Sequence, residues 1–83
     1  MNFKQKVLDI VAGIPKGLTM TYKQVATLAG NPKASRAVGA IMRTNYNPDI
    51  SCHRVVRSDG KMGGYNRGGP DKKLEILQSE GAI

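Results

Sequence analysis

The sequence predicts a mainly α-helical domain with a small β-hairpin. Four stretches repeat apolar residues at helical spacing, and the turn-forming pair Asp59-Gly60 separates two short runs that suit strands. The chain has 83 residues, of which 40% are hydrophobic, which is enough for one core but not for two. We therefore expect residues 1–83 to form a single globular domain.

The first two predicted helices are recognised by their ends. The first runs from Phe3 to a stop at Gly13, and apolar side chains recur on one of its faces. The second begins at Thr21, because Gln24 follows three residues later in the pattern of a capping box. This second helix is about two turns long and ends at Gly30.

The third helix is predicted to follow after a tight turn. Asn31 suits its N-cap and Pro32 its first position, and the helix is expected to run to about Thr44. Two helices joined by a short glycine-containing turn in a basic segment are typical of a helix-turn-helix. The glycine inside the third helix, Gly39, suits either close approach to a DNA backbone or helix packing. On a helical wheel Ala34, Ala37, Val38 and Ile41 fall on one side, and Arg36, Gly39, Ala40 and Arg43 fall on the other.

A hairpin and a fourth helix are predicted after the helix-turn-helix. Residues 51–57 and 62–65 are its two expected strands, and a hairpin at this place would be the wing of a winged helix-turn-helix. The last helix is predicted to begin at the cap residue Asp71 and to stop at Gly81. Its apolar side consists of Leu74, Ile76 and Leu77, and Glu80 falls on the same side.

The positive charge is concentrated in the middle of the chain. The formal net charge is +7, and residues 16–67 carry nine Lys and Arg against two Asp. The two ends carry four basic and four acidic residues and are therefore neutral. This cluster predicts a polyanionic partner, first nucleic acid and second an anionic membrane surface. The other interpretation is that this positive charge only keeps the protein soluble.

Composition and cysteine count exclude several classes of protein. No apolar stretch approaches the roughly 20 residues that a spanning helix needs, and no signal-type segment is visible. The only cysteine, Cys52, cannot form an intramolecular disulfide, which argues against a secreted mini-protein. One Cys and one His cannot complete a structural zinc site, so we expect no metal and no cofactor. We expect a cytoplasmic monomer without a membrane partner.

Cys52 has neighbours that suit nucleophilic chemistry. His53 and Arg54 follow it directly, and nearby cationic groups favour the thiolate, which is the nucleophilic form of a cysteine. Adjacent residues of a strand point to opposite faces, so His53 would assist Cys52 only through a turn or a bridging water. A lone cysteine is also commonly a small buried hydrophobe, and the spacing alone leaves both interpretations open.

Two blocks of the sequence resemble one family of DNA-repair proteins. The segment Ser51-Cys52-His53-Arg54-Val55-Val56 is similar to the Pro-Cys-His-Arg-Val motif of the O6-alkylguanine-DNA alkyltransferases. Residues 21–26 and 29–39 resemble the helix-turn-helix of the same family, and Gly64-Tyr65 and Glu80-Gly81 also match it. The resemblance covers nearly the whole chain and implies DNA repair by transfer of an alkyl group.

The resemblance implies roles for several residues. Cys52 would attack the alkyl carbon on guanine O6 and keep the group as a thioether, while His53, through a water polarised by Glu80, would take the thiol proton. Tyr22 would displace a phosphate and Arg36 would replace the flipped nucleotide, because a side chain cannot reach a stacked base. The residues implied to contact DNA are Tyr22, Lys33, Ala34, Ser35, Arg36, Gly39, Arg43 and Arg54.

The resemblance also implies a pocket for the flipped base. Tyr65, Val55 and Asn66 would line it, and Asn45 would tie the recognition helix to the active-site turn. The recognition helix would lie in the minor groove, where a small residue such as Gly39 suits the width of about 6 Å. The implied partner is double-stranded DNA containing O6-alkylguanine.

The chain departs from the family pattern in its active-site turn and in its size. Ser51 stands where the family has proline, and the loop between Arg43 and Cys52 is one residue shorter than in the larger members. The larger members also carry an additional N-terminal domain, for which residues 1–83 offer no counterpart. Two other hypotheses stay open: a sensor that flips and holds the damaged base without repairing it, and a helix-turn-helix regulator with an incidental cysteine. The two hypotheses differ in the fate of the methyl group: a repair protein retains it on itself, whereas a sensor leaves it on the DNA.

Overall fold

Four α-helices, one 3-10 turn and a two-stranded sheet make up the described part of the chain. The structure is a computed structural model, and it describes residues 2–47, 49–58, 65–66 and 68–83. The predicted mainly helical class is confirmed, and no helix within these ranges is long and apolar enough to cross a membrane. The helices are α1 (Phe3–Ala12), α2 (Tyr22–Leu28), α3 (Ser35–Arg43) and α4 (Gly69–Ser79), the 3-10 turn is Cys52–Arg54, and the strands are β1 (Met20–Thr21) and β2 (Val55–Val56).

The first two helices have the termini that the sequence predicts. α1 stops at Gly13, and α2 starts after Thr21, whose hydroxyl accepts from the backbone N–H of Gln24 at 3.0 Å. The Gln24 side chain accepts in turn from the backbone N–H of Thr21 at 2.8 Å, which completes the capping box. Gly30 follows α2 with a φ of 95°, a conformation that glycine adopts without strain.

The third helix begins later than predicted. The Asn31 side-chain oxygen accepts from the backbone N–H of Lys33 at 3.3 Å, and the Asn31 carbonyl accepts from the N–H of Ala34 at 3.0 Å. These bonds close a local turn, which competes with the helix start that an N-cap at Asn31 would give. α3 therefore starts at Ser35 and not at Pro32.

The buried face of α3 also differs from the predicted one. Val38 and Met42 are buried, whereas Ala37, which the helical wheel placed on the apolar side, is exposed. Methionine carries more apolar area than alanine, so burying Met42 stabilises the domain more. Arg36 and Arg43 stay exposed. α2 and α3 pack against each other and both contact α1, as a helix-turn-helix requires.

The observed sheet joins the active-site segment to the residues before α2. β1 and β2 pair in parallel, with Met20 opposite Val55. The prediction of a strand over residues 51–57 is wrong at Cys52–Arg54, where the Arg54 N–H donates to the Ser51 carbonyl at 2.9 Å within the 3-10 turn. This segment has no exposed residue, so it lacks the alternation of a half-buried strand. The predicted hairpin turn and most of its second strand lie outside the described residues.

One apolar core lies between the first three helices and the 3-10 turn. α4 contacts the 3-10 turn and buries Leu77 fully. α4 begins at Gly69, with Gly68 as its cap, so the predicted cap Asp71 is instead an acidic residue of the first turn. Pro70 suits this first turn because it has no N–H to satisfy, and the helix can start before Asp71. The core consists of Val7, Val11, Ile14, Val25, Ala26, Ala29, Val38, Met42, Cys52 and Val55.

Candidate active site

A cleft of about 670 Å³ brings the helix-turn-helix and the cysteine together. Residues of α2, α3, the 3-10 turn and the segment after β2 form its wall. Four of its lining residues, Lys23, Met42, Arg57 and Ser58, are not among the predicted site residues. The predicted site residues on the wall are Tyr22, Ser35, Arg36, Gly39, Arg43, Cys52, Tyr65 and Asn66.

The rim of the cleft is basic. Lys23, Arg36, Arg43 and Arg57 line it and are exposed to solvent. Among the described lining residues there is no carboxylate. A polyanion that approaches this face gains electrostatic energy and releases its counterions. Four of the nine basic residues of the central segment therefore lie around the cleft.

Cys52 lies at the boundary between the core and the cleft. It is 4% exposed and belongs to the apolar core, yet it also lines the cleft. The turn holds it there, because the Cys52 N–H donates to the Ile50 carbonyl at 2.9 Å. Cys52 is therefore a packed residue, as one interpretation of the sequence predicts. Its side chain also lines the cleft, where a bound group would contact it.

His53 is oriented by the carboxylate at the end of α4. Its Nε2 lies 3.1 Å from Oε1 of Glu80, and both side chains are largely buried. Tyr65 packs edge-on against the His53 ring, with the ring centroids 6.5 Å apart. Within the described residues no hydrogen bond joins His53 to Cys52, so a proton would pass between them through a bridging molecule.

Glu80 is held by two bonds from one guanidinium. Arg54 Nε donates to Oε1 at 3.0 Å, and Nη2 donates to Oε2 at 2.7 Å. These bonds lower the pKa of Glu80 to about 2, while burial opposes the shift and the His53 contact adds to it. Glu80 therefore presents a fixed negative charge to His53 at neutral pH.

The Arg54 side chain, for which the resemblance implies a DNA contact, is bound within the protein and does not line the cleft. The Arg54 side chain is 14% exposed, and its Nη1 donates to the Ile14 carbonyl at 2.8 Å and to Oγ of Ser51 at 3.0 Å. The guanidinium thus connects the end of α1, the active-site turn and the end of α4. If Arg54 contacted a phosphate instead, the largely buried Glu80 carboxylate would lose its counter-ion, and this loss would cost free energy. Arg54 is a structural residue of the site.

Two asparagines connect the end of α3 to the active-site turn. Nδ2 of Asn66 lies 2.8 Å from the carbonyls of both Arg43 and Asn45 and 3.2 Å from that of Met42. The Asn45 amide donates to the Ile50 carbonyl at 3.5 Å, so this contact lies where the resemblance places a tie. Oδ1 of Asn66 is buried without a hydrogen-bond partner in the described structure. Asn66 therefore keeps an unused acceptor beside the cleft.

Three other predicted site residues lie away from the cleft wall. Val55 is fully buried in the core, so its side chain does not line the pocket as predicted. Lys33 is exposed in the turn before α3, and the half-buried Ala34 precedes the first residue of that helix. The DNA contacts predicted for Lys33 and Ala34 therefore fall outside the cleft wall, and so does the pocket role predicted for Val55.

One residue near the cleft is absent from the predicted site. Lys73 of α4 is fully buried, and its Nζ lies 3.4 Å from the hydroxyl of Tyr22. The signal for it in the sequence is its spacing from Leu77 and Glu80, which places all three on one helix face. A lysine at such a position is ordinarily assigned to the solvent face, so the spacing is easily overlooked.

The turn before Cys52 allows a direct test of its departure from the family. Ser51 has a φ of −81°, close to the value that proline imposes. We expect Ser51→Pro to change the free energy of unfolding by less than about 1 kcal/mol, because restriction of the unfolded chain offsets the lost bond to Arg54. Urea denaturation measures this change, with Ser51→Ala as the control that loses only the bond. A variant that fails to fold would show that the turn cannot hold proline.

The fold and the cleft define a helix-turn-helix domain of the DNA-binding type that carries a packed cysteine in its cleft. The family model described as the DNA-binding domain of 6-O-methylguanine DNA methyltransferase matches residues 2–82. The chain belongs to this family.

Relatives and solved structures agree with this assignment. The chain is 51% identical over 82 residues to the methylated-DNA–protein-cysteine methyltransferase of Mus musculus, with 96% of this chain and 39% of the relative covered. It is 47% identical over 80 residues to the protein of the same name from Methanothermobacter thermautotrophicus, with 96% and 44% covered. The chain thus spans less than half the length of these relatives.

Two DNA complexes have the same fold. Mycobacterium tuberculosis OGT in complex with DNA superposes with a TM-score of 0.89 at 36% identity, covering 99% of this chain and 51% of that one. S. pombe Atl1 in complex with damaged DNA containing O6-carboxymethylguanine superposes with a TM-score of 0.84 at 31% identity, covering 95% and 75%. These matches support the predicted winged helix-turn-helix class.

Proposed function

We propose that this chain repairs alkylated DNA by moving an alkyl group from O6 of guanine to Sγ of Cys52. The observation that carries the proposal is the position of Cys52 on the wall of the cleft that the helix-turn-helix forms. A base stacked in a duplex cannot meet a sulfur that is 4% exposed, so the damaged base has to leave the stack and enter the cleft. Family membership supports the same reaction.

The proposed reaction is a single displacement. The Cys52 thiolate attacks the alkyl carbon, a carbon–sulfur bond forms, and the bond between that carbon and O6 breaks. The electron pair of the broken bond stays on the guanine, which takes up one proton. A thioether is a poor leaving group, so each protein molecule acts once.

Loss of the thiol proton is the step that His53 and Glu80 serve in this proposal. His53 receives the proton through a bridging water, and the ionised Glu80 at 3.1 Å stabilises the resulting imidazolium. Arg54 fixes the carboxylate in this position through two bonds. The arrangement of carboxylate, imidazole and thiol supports a general base that is oriented before the substrate arrives.

The wall of the cleft formed by α3 suits close approach to DNA. A side chain added at Gly39 would meet no described atom within 4 Å, so packing inside the domain does not require a glycine there. Gly39 lines the cleft between the exposed Arg36 and Arg43. A small residue between two arginines lets the helix lie near a groove while the guanidinium groups reach the backbone or the stack. This observation favours the DNA-approach interpretation of Gly39 over the packing one.

The proposed function is tested by counting methyl groups on the protein and in the DNA. The protein is incubated with a duplex that contains one O6-methylguanine, and its intact mass is measured together with the lesion that remains. We expect the protein mass to increase by one methyl group for each lesion lost. An unmodified duplex and the free base are the controls. Binding without any loss of the lesion would exclude repair.

A lesion sensor is the second candidate function. The structural match to S. pombe Atl1 in complex with damaged DNA favours it, because that match covers 95% of this chain. The present chain differs from a pure binding protein in the sulfur on the cleft wall and in the carboxylate-histidine pair that follows it. Tight binding to the lesion with the methyl group retained on the DNA would favour the sensor.

Arg36 is expected to serve extrusion of the base more than overall binding. It is exposed on the cleft wall near the start of α3, where its side chain can replace a nucleotide that has left the stack. We expect Arg36→Ala to slow methyl transfer roughly tenfold or more, since unstacking costs a few kcal/mol, and to weaken binding to undamaged duplex much less. Single-turnover transfer and fluorescence-anisotropy titration measure the two effects.

Arg43→Ala is the matched control for Arg36→Ala. It removes the same charge from the same helix and the same cleft. We expect this variant to lower binding and transfer by similar factors, because a phosphate contact contributes equally to both. Equal losses of binding and transfer in Arg36→Ala would reduce Arg36 to a phosphate contact as well.

A further inference from the structure

The carbonyl end of α3 is closed by donors that lie beyond the helix. The last carbonyls of a helix have no partner inside it and need donors from elsewhere. The hydroxyl of Thr44, directly after α3, donates to the carbonyl of Ile41 at 3.1 Å. The carbonyls of Arg43 and Asn45 instead accept from Nδ2 of Asn66, both at 2.8 Å. Asn66 is 23 positions from Arg43 along the chain, so this is a tertiary contact and not a local cap.

The side-chain amide of Asn66 has one favourable orientation. Its Nδ2 also lies 3.2 Å from the carbonyl of Met42, so three carbonyl oxygens surround the amino group. Turning the amide over would place Oδ1 against the same three oxygens, which have no hydrogen to donate. The bonds of Nδ2 therefore fix the side chain, although Oδ1 stays buried without a partner in the described structure. The amide of Asn66 is thus committed to the end of α3.

Asn66 connects this helix end to the cleft wall through its neighbour Tyr65. Tyr65 lines the cleft, and its ring packs edge-on against the ring of His53, with the centroids 6.5 Å apart. Its carbonyl accepts from the N–H of Gly69, the first residue of α4, at 2.9 Å. One rigid peptide unit separates Tyr65 from Asn66, so a shift of Asn66 moves Tyr65 as well. The place of Tyr65 on the wall therefore depends on the bonds that hold Asn66.

We propose that Asn66 is a positioning residue for the repair reaction: its amide holds the end of α3 and thereby keeps Tyr65 on the cleft wall, against the ring of His53. The proposal rests on the proposed function for its consequence in repair, but its physical content, the place of Tyr65, depends on no substrate. α3 carries Arg36 and Arg43 on the same cleft, so the contact fixes the distance between the helix that meets the DNA and the wall that receives the base. Small errors in the placement of reacting groups cost large factors in rate.

This contact is distinct from the one that Asn45 makes with its side chain. The Asn45 amide donates to the carbonyl of Ile50 at 3.5 Å, in the loop that leads to Cys52. The Asn66 amide instead reaches α3 from the segment that follows β2. The first contact joins the end of α3 to the active-site turn, and the second joins it to the wall that carries Tyr65. Substitution of one asparagine can therefore be studied without changing the other.

The first test measures the contact between Tyr65 and His53 by NMR. His53 is the only histidine in the chain, so the signals of its ring protons are readily identified. We expect the wild type to show a nuclear Overhauser effect between the two rings. We expect Asn66→Ala to lose it, because alanine has no side-chain donor for the carbonyls of α3.

Asn66→Asp is the second variant, and it separates the lost hydrogen bonds from lost volume. Aspartate has nearly the same size, but an ionised carboxylate turns oxygens and no hydrogen toward the carbonyls of α3. We expect the ring contact to be lost at about pH 7.5, where the introduced carboxyl is ionised. We expect it to return at about pH 5 or below, because burial beside three carbonyls raises the pKa of that carboxyl and its protonated form donates.

Asn47→Ala is the matched control. Asn47 lies near the same end of α3, but it is exposed, and its side chain accepts a local bond from the N–H of Asp49 at 2.9 Å. We expect this variant to keep the ring contact and the transfer rate of the wild type. Urea denaturation of each variant establishes that it is folded before contacts and rates are compared.

Methyl transfer from DNA provides the second readout. We expect Asn66→Ala to slow single-turnover transfer at saturating protein by roughly tenfold, because the base pocket is no longer aligned with α3. Its affinity for undamaged duplex should stay that of the wild type, since Arg36 and Arg43 remain on the helix. Tyr65→Leu should slow transfer as well. Asn66→Ala should add little in that background, because substitutions that act through one contact are not additive.

An unchanged ring contact or an unchanged transfer rate in the folded Asn66 variants would overturn the proposal. Fully additive losses of Asn66→Ala and Tyr65→Leu would overturn it as well, because Asn66 would then act through another route. Loss of the ring contact in both Asn66 variants, together with a wild-type protein that never demethylates DNA, would instead uphold the placement of Tyr65 by Asn66 and overturn the proposed function.

Discussion

Incubation with duplex DNA containing O6-methylguanine is expected to place one methyl group on Cys52 and on no other residue. Cys52 is the only cysteine in the chain, and its side chain lies on the wall of the basic cleft. The thioether bond is stable, so the methyl group should remain through digestion and peptide mass mapping. Product formation should stop at one equivalent per protein molecule.

Cys52→Ser is the control for this experiment. Serine is nearly the same size, so the core around the 4% exposed side chain should persist. We expect the variant to bind the methylated duplex as tightly as the wild type and to transfer nothing, since a serine hydroxyl is not ionised at neutral pH. Methylation elsewhere in the chain, or transfer by Cys52→Ser, would contradict the assignment of Cys52.

Glu80→Gln is expected to have the largest effect on stability. Glu80 accepts two bonds from Arg54 and one contact from His53, and removing its charge leaves the guanidinium largely buried without a counter-ion. We expect the free energy of unfolding to fall by about 2–3 kcal/mol, less than for a fully buried pair because these side chains keep some solvent contact. For a domain of this size such a change lowers the midpoint temperature by roughly 10 °C or more.

The pH dependence of stability gives this prediction a second test. The pKa of Glu80 in the folded state is about 2, below its ordinary value of 4.5, so the stability that its ion pair contributes is present above pH 4.5. That contribution is lost as the pH falls from 4.5 to 2, where the folded carboxylate is protonated. We expect the wild type to lose stability across this window and Glu80→Gln to lose less.

Glu75→Gln is the control for Glu80→Gln. Glu75 lies on the same helix, but its pair with Lys72 is 3.6 Å long and exposed. We expect a change of less than about 0.5 kcal/mol, because solvent screens an exposed pair. Equal effects of the two substitutions in urea denaturation would show that the contacts of Glu80 with Arg54 and His53 add nothing to stability.

Local sequence signals determined the helical class and much of the candidate site. The capping box at Thr21, the stop at Gly13 and the apolar spacing predict elements correctly, because each depends on residues within one or two turns. The resemblance of two short motifs placed Cys52 and the helix-turn-helix together. Their shared cleft agrees with that placement.

The tertiary structure decided the role of each buried charge. The family resemblance implies that Arg54 contacts DNA, but its guanidinium is bound to Glu80, 26 positions along the chain. A lysine is ordinarily expected to face solvent, yet Lys73 lies buried beside Tyr22. A charge is free or paired according to which distant element packs over it, and neither spacing nor composition encodes that contact. Sequence determined which groups the protein has, and packing decided which of them line the cleft and which are held inside.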